Sequence, residues 1–100
     1  MKILSPTETQ LLSIVSTNEL SGRDVAKLFK QETGDSISYG TLYTTFRRLK
    51  EQGWVNTRDD EDEDGRVRFF SITGHGQRAL REARLFYSSI ANFGLGGALA

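Results

Sequence analysis

Residues 38–53, Ser-Tyr-Gly-Thr-Leu-Tyr-Thr-Thr-Phe-Arg-Arg-Leu-Lys-Glu-Gln-Gly, constrain the fold more than any other stretch of the chain. Ser38 can cap a helix at its start, and Gly53 can stop one. Between them Leu42, Phe46 and Leu49 recur at i, i+4 and i+7 and so share one buried face. At 100° per residue the opposite face carries Gly40, Thr41, Thr44, Arg47 and Arg48. That face is small and polar at its N-terminal end and cationic further on. A helix that sets its first residues against base edges, with cations close behind for phosphates, needs such a face.

The rest of the chain supplies a setting for this helix. Ser5-Pro6-Thr7-Glu8 reads as a capping box with proline at the first helical position. It opens a helix with Leu11, Ile14 and Val15 on its apolar face, ending near Thr17-Asn18. Ser21-Gly22-Arg23-Asp24 opens a second helix with Val25, Leu28 and Phe29 on one face, stopped by Gly34. After Gly53 the period changes. Trp54–Arg58 and Arg66–Ile72 read as two strands. The acidic run Asp59-Asp60-Glu61-Asp62-Glu63-Asp64 and Gly65 read as a solvated, mobile loop between them. Thr73 caps a last helix in which Leu80, Ala83, Tyr87 and Ile90 follow heptad-like spacing. Gly94-Leu95-Gly96-Gly97 should fray its end.

Helix, helix, helix, strand, turn, strand is the order of a winged helix-turn-helix. The expected fold is therefore mainly α (α+β): a winged helix-turn-helix over residues 1–72, then a C-terminal dimerisation helix and flexible tail over 73–100. One hundred residues make a marginal core, for which self-association is a common remedy.

Charge is decided by its distribution. Net charge is zero, but the acidic run holds six of the thirteen acids, which leaves a surplus of six cations elsewhere. Local surplus, more than the overall isoelectric point, governs attraction to a polyanion. The candidate DNA contacts are Ser38, Gly40, Thr41, Tyr43, Thr44, Arg47 and Arg48 on the third helix, and Arg66 and Arg68 alternating on the second strand. Two alternatives stay open here. Tyr43 either hydrogen-bonds a phosphate or simply packs, and Arg66 and Arg68 either reach the phosphate backbone or neutralise the acids beside them. Tyr39 is expected to pack at the helix start.

Other chemistries find little support. There are no cysteines, hence no disulfide or thiolate metal site. Asp60-x-Asp62-x-Asp64-Gly65 matches the opening of a calcium loop, but Ser71 stands where the bidentate glutamate belongs. His75 has no second ligand or partner acid. No nucleophile, base and orienter combination occurs, and no cofactor, metal site or catalysis is expected. No apolar run suggests a leader or membrane span, and the expected location is cytoplasmic. Trp54, Phe86, Tyr87 and Phe93 either line an effector pocket or pack as core and interface.

The segment Gly-Thr-Leu-Tyr-x-x-Phe-Arg-Arg-Leu-Lys-Glu-Gln-Gly-Trp-Val, Gly40 to Val55, resembles the recognition-helix signature of PadR-type transcriptional regulators. Gly65-Arg66-Val67-Arg68-Phe69-Phe70-Ser71-Ile72-Thr73 followed by Gly76 resembles that family's wing strand and the start of its last helix. The resemblance spans about residues 8–85. It implies a dimeric winged-helix repressor that binds operator DNA, often released by a small aromatic molecule; pairing of two copies about a two-fold axis would make that operator an inverted repeat. The dimer interface would then use Leu80, Ala83, Tyr87 and Ile90. The chain departs from the pattern in a shorter region after Thr73 and in a more acidic wing tip. Competing readings are a winged helix that binds protein through the acidic wing, and an RNA-binding winged helix.

Overall fold

In the computed structural model, which describes residues 3–63 and 65–99 apart from the side chains at 62 and 92–99, serines start the first three helices. α1 spans Pro6–Ile14, α2 Gly22–Thr33 and α3 Tyr39–Glu51. Ser5 Oγ accepts from the Glu8 amide at 3.1 Å and Glu8 Oε1 accepts from the Ser5 amide at 2.8 Å, a complete capping box. Ser21 accepts from the Asp24 amide at 3.2 Å, and Ser38 from the Thr41 amide at 3.1 Å. Each cap satisfies a backbone donor that the helix cannot, worth about 1 kcal/mol. Gly34, at φ 80°, ends α2 in the left-handed region. α1 stops earlier than its pattern suggested. The Ser16 amide and hydroxyl both turn back to the Ser13 carbonyl, and the chain leaves the helix at Val15.

Three antiparallel strands form a small sheet in the order β1-β3-β2, with β1 at Leu20–Ser21, β2 at Val55–Asp62 and β3 at Gly65–Ile72. Strand β1, which no sequence pattern announced, pairs Leu20 with Phe70 and so joins the start of α2 to the hairpin. The β2–β3 register runs from Val55 opposite Ile72 to Asp62 opposite Gly65. The acidic stretch expected as a mobile loop is therefore strand as far as Asp62; Asp64 lies outside the described residues. Its acids are held extended because arginines stand opposite them, with Asp59 facing Arg68 and Glu61 facing Arg66.

The core lies where α1, α2 and α3 meet the base of the hairpin. Leu11, Leu12, Val25, Leu42, Phe46, Leu49, Val55 and Phe70 are buried. Phe46 and Phe70 stack with ring centroids 4.2 Å apart at 15°, which locks α3 to β3. Burying each ring contributes roughly 1.5–3 kcal/mol.

The last helix, α4, spans Gly74–Leu99. The Thr73 hydroxyl accepts from the Gly76 amide at 2.9 Å and caps its start. The first half lies on α1: Gln77 donates to the Ser16 carbonyl at 3.1 Å, Arg84 to Ser13 Oγ at 2.8 Å, and Tyr87 Oη to the Leu4 carbonyl at 2.6 Å. Leu80 and Ala83 are each 1 % exposed within this single chain. The seam expected to face a second copy is thus half used at home, because Leu4, ahead of α1, offers it an apolar partner. Ile90, beyond the domain, is 53 % exposed. The backbone stays helical through Gly94–Gly97 instead of fraying; a glycine costs a helix roughly 1 kcal/mol without forcing it to end. Among the described residues no helix is long and apolar enough to cross a membrane.

Candidate nucleic-acid interface

Helix α3 divides cleanly into two faces. Leu42, Phe46 and Leu49 are fully buried, and Thr45 is buried with its hydroxyl donated to the Thr41 carbonyl at 2.8 Å. Ser38, Gly40, Thr41, Thr44, Arg47 and Arg48 are exposed. The first turn contains no acid, so the positive end of the helix dipole is uncompensated there. Ser38 and Thr41 hydroxyls hydrogen-bond each other at 3.0 Å, which leaves a compact polar start with short side chains. Among the described residues neither Arg47 nor Arg48 makes an ion pair.

The structure separates those two arginines. Arg47 turns toward the hairpin and lines a cleft of about 320 Å³ with Thr44, Lys50 and Arg68. Arg48 turns toward α1 and lines a smaller cleft with Glu8 and Trp54. Lys50, absent from the candidates drawn from the sequence, belongs to the Arg47 side and donates to Thr57 Oγ1 at 3.0 Å. Its signal was present: residues 43, 47 and 50 fall on one helical stripe.

A second cleft, of about 540 Å³, opens between the starts of α2 and α3 and strand β3. Arg23, Tyr39, Tyr43, Arg66 and Arg68 stand around it. Tyr43 does pack, with its ring 5.8 Å from Phe70 and 6.3 Å from Tyr39. It also sits over Gly22, where a Cβ would come within 2.6 Å of the Tyr43 hydroxyl. Glycine lets the start of α2 approach this ring closely; a larger residue would have to push the Tyr43 hydroxyl aside. Tyr39 stacks on Tyr43 from outside and stays exposed. Nothing local in the sequence placed Arg23 here, since the cleft exists only once β3 docks.

The hairpin's cations are engaged. Arg68 Nε donates to Asp59 Oδ1 at 2.9 Å, and Arg66 reaches Asp59 Oδ2 at 3.0 Å. The hydrogen bond from Arg68, then the charges of Arg68 and Arg66, hold the Asp59 carboxyl below the usual range. On the other face Arg58 donates to Glu19 at 2.7 Å and to Asp60 at 3.0 Å, and its guanidinium lies 4.7 Å over the Phe69 ring. Its hydrogen bond lowers the Glu19 pKa; Asp60 is lowered first by the Glu61 amide and then by Arg58. Arg58 thereby links the hairpin to the segment before α2.

Among the described residues, the aromatics considered for an effector do not line one shared pocket within a chain. Trp54 lines clefts with Ile3 and Leu4, Tyr87 is bonded to Leu4, Phe86 packs edge-on to Tyr87 and is exposed, and the Phe93 side chain lies outside the described residues.

Solved structures share this architecture. A PadR family regulator from Eggerthella lenta superposes with a TM-score of 0.80 at 26% identity, covering 93% of this chain and 80% of that one. A PadR family regulator from Clostridium difficile gives 0.80 at 17% identity, covering 96% and 100%. Bacillus subtilis PadR, solved with operator DNA, gives 0.70 at 22% identity over 78% of this chain, which spans only 47% of that one. No curated protein matches by sequence. The family model of the transcriptional regulator PadR-like family matches residues 11–82, with both faces of α3 and the whole hairpin inside the match. This winged helix with its small three-stranded sheet therefore belongs to the PadR-like family of transcriptional regulators.

Proposed function

We propose that the chain binds double-stranded DNA sequence-specifically through α3 and acts as a homodimeric repressor. The observation that carries this is the exposed face of α3: small residues at its positive end, then Arg47 without an ion pair among the described residues. An α-helix fits the major groove of B-DNA, whereas the deep, narrow groove of A-form RNA excludes it. The solved complex of Bacillus subtilis PadR with operator DNA supports the same reading. Protein binding through an acidic wing is less well supported, because Asp59 and Asp60 already have arginine partners.

Dimerisation is proposed for the outer half of α4. The helix of 26 residues is about 39 Å long, and past Tyr87 it outruns its own domain. Leu85 and Phe86, just before that point, and Ile90 beyond it are exposed, and a second copy would cover them around a two-fold axis. Two α3 helices would then face half-sites about one helical turn apart, so the operator should be an inverted repeat. A small aromatic effector would seat between the copies, where Phe86 gains a second wall. The test is selection of binding sites from genomic duplex DNA with the purified chain, paired with sedimentation. A shared inverted-repeat motif and a dimer support the proposal. A monomer at micromolar concentration overturns the two-fold model, and no shared motif overturns sequence-specific binding.

A further inference from the structure

The acidic strand of the hairpin is not explained by contact with DNA, since it presents carboxylates to a polyanion. Its geometry gives it another task. Asp59 is opposite Arg68 in the register and one pleat from Arg66, on the same face of the sheet. Arg68 takes both of its oxygens, with Nε on Oδ1 at 2.9 Å and Nη2 on Oδ2 at 3.4 Å, and Arg66 shares Oδ2 at 3.0 Å. Both arginines also line the large cleft beside α3. Both arginines reach solvent from this pair: the Arg66 side chain is 76 % exposed and that of Arg68 51 %.

We propose that Asp59 is an internal competitor for DNA phosphate: it holds Arg66 and Arg68 in check and thereby sets the affinity and salt dependence of operator binding. This rests on α3 being the DNA-reading helix and adds a regulator of its grip. An arginine that must give up a carboxylate to take a phosphate exchanges one anion for another. Its net gain is small, and the displaced carboxylate remains close to the polyanion. Asp60 provides a contrast, since it sits on the opposite face and pairs with Arg58.

The experiment measures operator affinity as a function of salt for the full chain on a duplex obtained by selection, comparing wild type with Asp59→Asn. Asparagine keeps the shape and removes the charge. Two released arginines should steepen the salt slope by about two units. The affinity gain of D59N over wild type should then be about tenfold larger at 50 mM than at 200 mM salt. Arg66→Ala with Arg68→Ala should erase that gain in the D59N background and cost much less in the wild-type background. The second comparison needs no altered Asp59 if D59N fails to fold: a steep, multi-unit fall in the wild-type slope on removing the arginines would show them already on the DNA and overturn the proposal. So would a D59N gain that survives without the arginines, a gain matched by Asp60→Asn, or a loss of affinity in D59N. If D59N has no effect while Arg47→Ala with Arg48→Ala abolishes binding, this inference fails and the reading of α3 stands. If no variant binds the selected duplex, both fall.

Discussion

Helix α3 and the β2–β3 hairpin each carry three cations. Arg47, Arg48 and Lys50 come from the helix, and Arg58, Arg66 and Arg68 from the hairpin. Their situations differ. The two arginines of α3 make no ion pair among the described residues, while each of the three hairpin arginines holds at least one carboxylate. In a helix, neighbours on one face lie three and four residues apart, and on the outer stripe of α3 those positions are Gly40, Thr44 and Arg47. In a hairpin, the neighbour on the same face comes from the opposite strand, and here that strand is acidic. Counting charges along the chain treats both regions alike; the two periodicities distinguish a cation that is free to meet a ligand from one already answered.

The largest test of this contrast removes the free cations. Arg47→Ala with Arg48→Ala should lower operator affinity about a hundredfold or more, since a side chain reading a base edge is worth roughly 1–3 kcal/mol. Each arginine that no longer meets a phosphate should also flatten the salt slope by about one unit. Arg47 should account for most of the loss, because Arg48 is turned toward α1. Fluorescence anisotropy over a salt series measures both quantities. Equal losses from the two single variants would show that the separation of the arginines has no bearing on binding, and unchanged affinity in the double variant would break the contrast altogether.

The next test concerns how the hairpin is held in place. Its base is fixed by backbone: the Thr73 amide donates to the Trp54 carbonyl at 3.0 Å, and Thr73 Oγ1 donates to the Gly53 carbonyl at 2.6 Å. Gly76 of α4 closes on the same point. A Cβ there would lie 2.1 Å from the Trp54 carbonyl oxygen and 2.7 Å from Ile72 Cγ1. Gly76→Ala should therefore destabilise the fold by about 1–3 kcal/mol, at the upper end because backbone is struck. Denaturant unfolding monitored at Trp54 measures this. A neutral result would mean that α4 can shift along the hairpin base far enough to admit the methyl group.

These particulars also show what was legible in the sequence. The caps at Ser5, Ser21 and Ser38 and the stop at Gly34 could be read because each is decided within a few residues. The outer face of α3 could be read because helical periodicity fixes it. The extension of β2 through Asp59 to Asp62 could not, since six successive acids resemble a solvated loop until the arginines of β3 are set in register against them. Strand β1 has two residues, too few for any period. The heptad seam of α4 was visible, but not its partner. Leu80 and Ala83 meet Leu4 and the core of their own domain, and that partnership depends on how the chain ahead of α1 folds back. Arg23 and Lys50 reached the clefts through tertiary packing and helical phase respectively, and only the second left a trace in the sequence.

The smallest effect expected is on the pH dependence of stability, and it isolates the answered cations. Glu19, Asp59 and Asp60 all have folded-state pKa values lowered chiefly by hydrogen bonds, from Arg58, from Arg68 and from the Glu61 amide followed by Arg58. A carboxyl that is more acidic folded than unfolded stabilises the fold fully above its unfolded pKa, near the ordinary values of 4.5 for Glu and 3.8 for Asp. That stabilisation is lost as pH falls through the lowered folded value. Wild-type melting temperature should thus be flat from neutral pH down to about pH 5 and then decline. The decline should be modest, because these pairs are exposed to solvent and screened by salt. A variant with Arg58, Arg66 and Arg68 all changed to alanine removes every arginine partner of the three carboxylates, leaving Asp60 only its Glu61 amide, and should flatten this part of the acid limb. The matched Arg47→Ala with Arg48→Ala variant should leave it unchanged, since among the described residues those arginines have no carboxylate to lose. Melting curves at pH 6, 4.5 and 3 on the three proteins decide the matter, and an equal acid limb in all of them would mean that the hairpin pairs do not hold in solution.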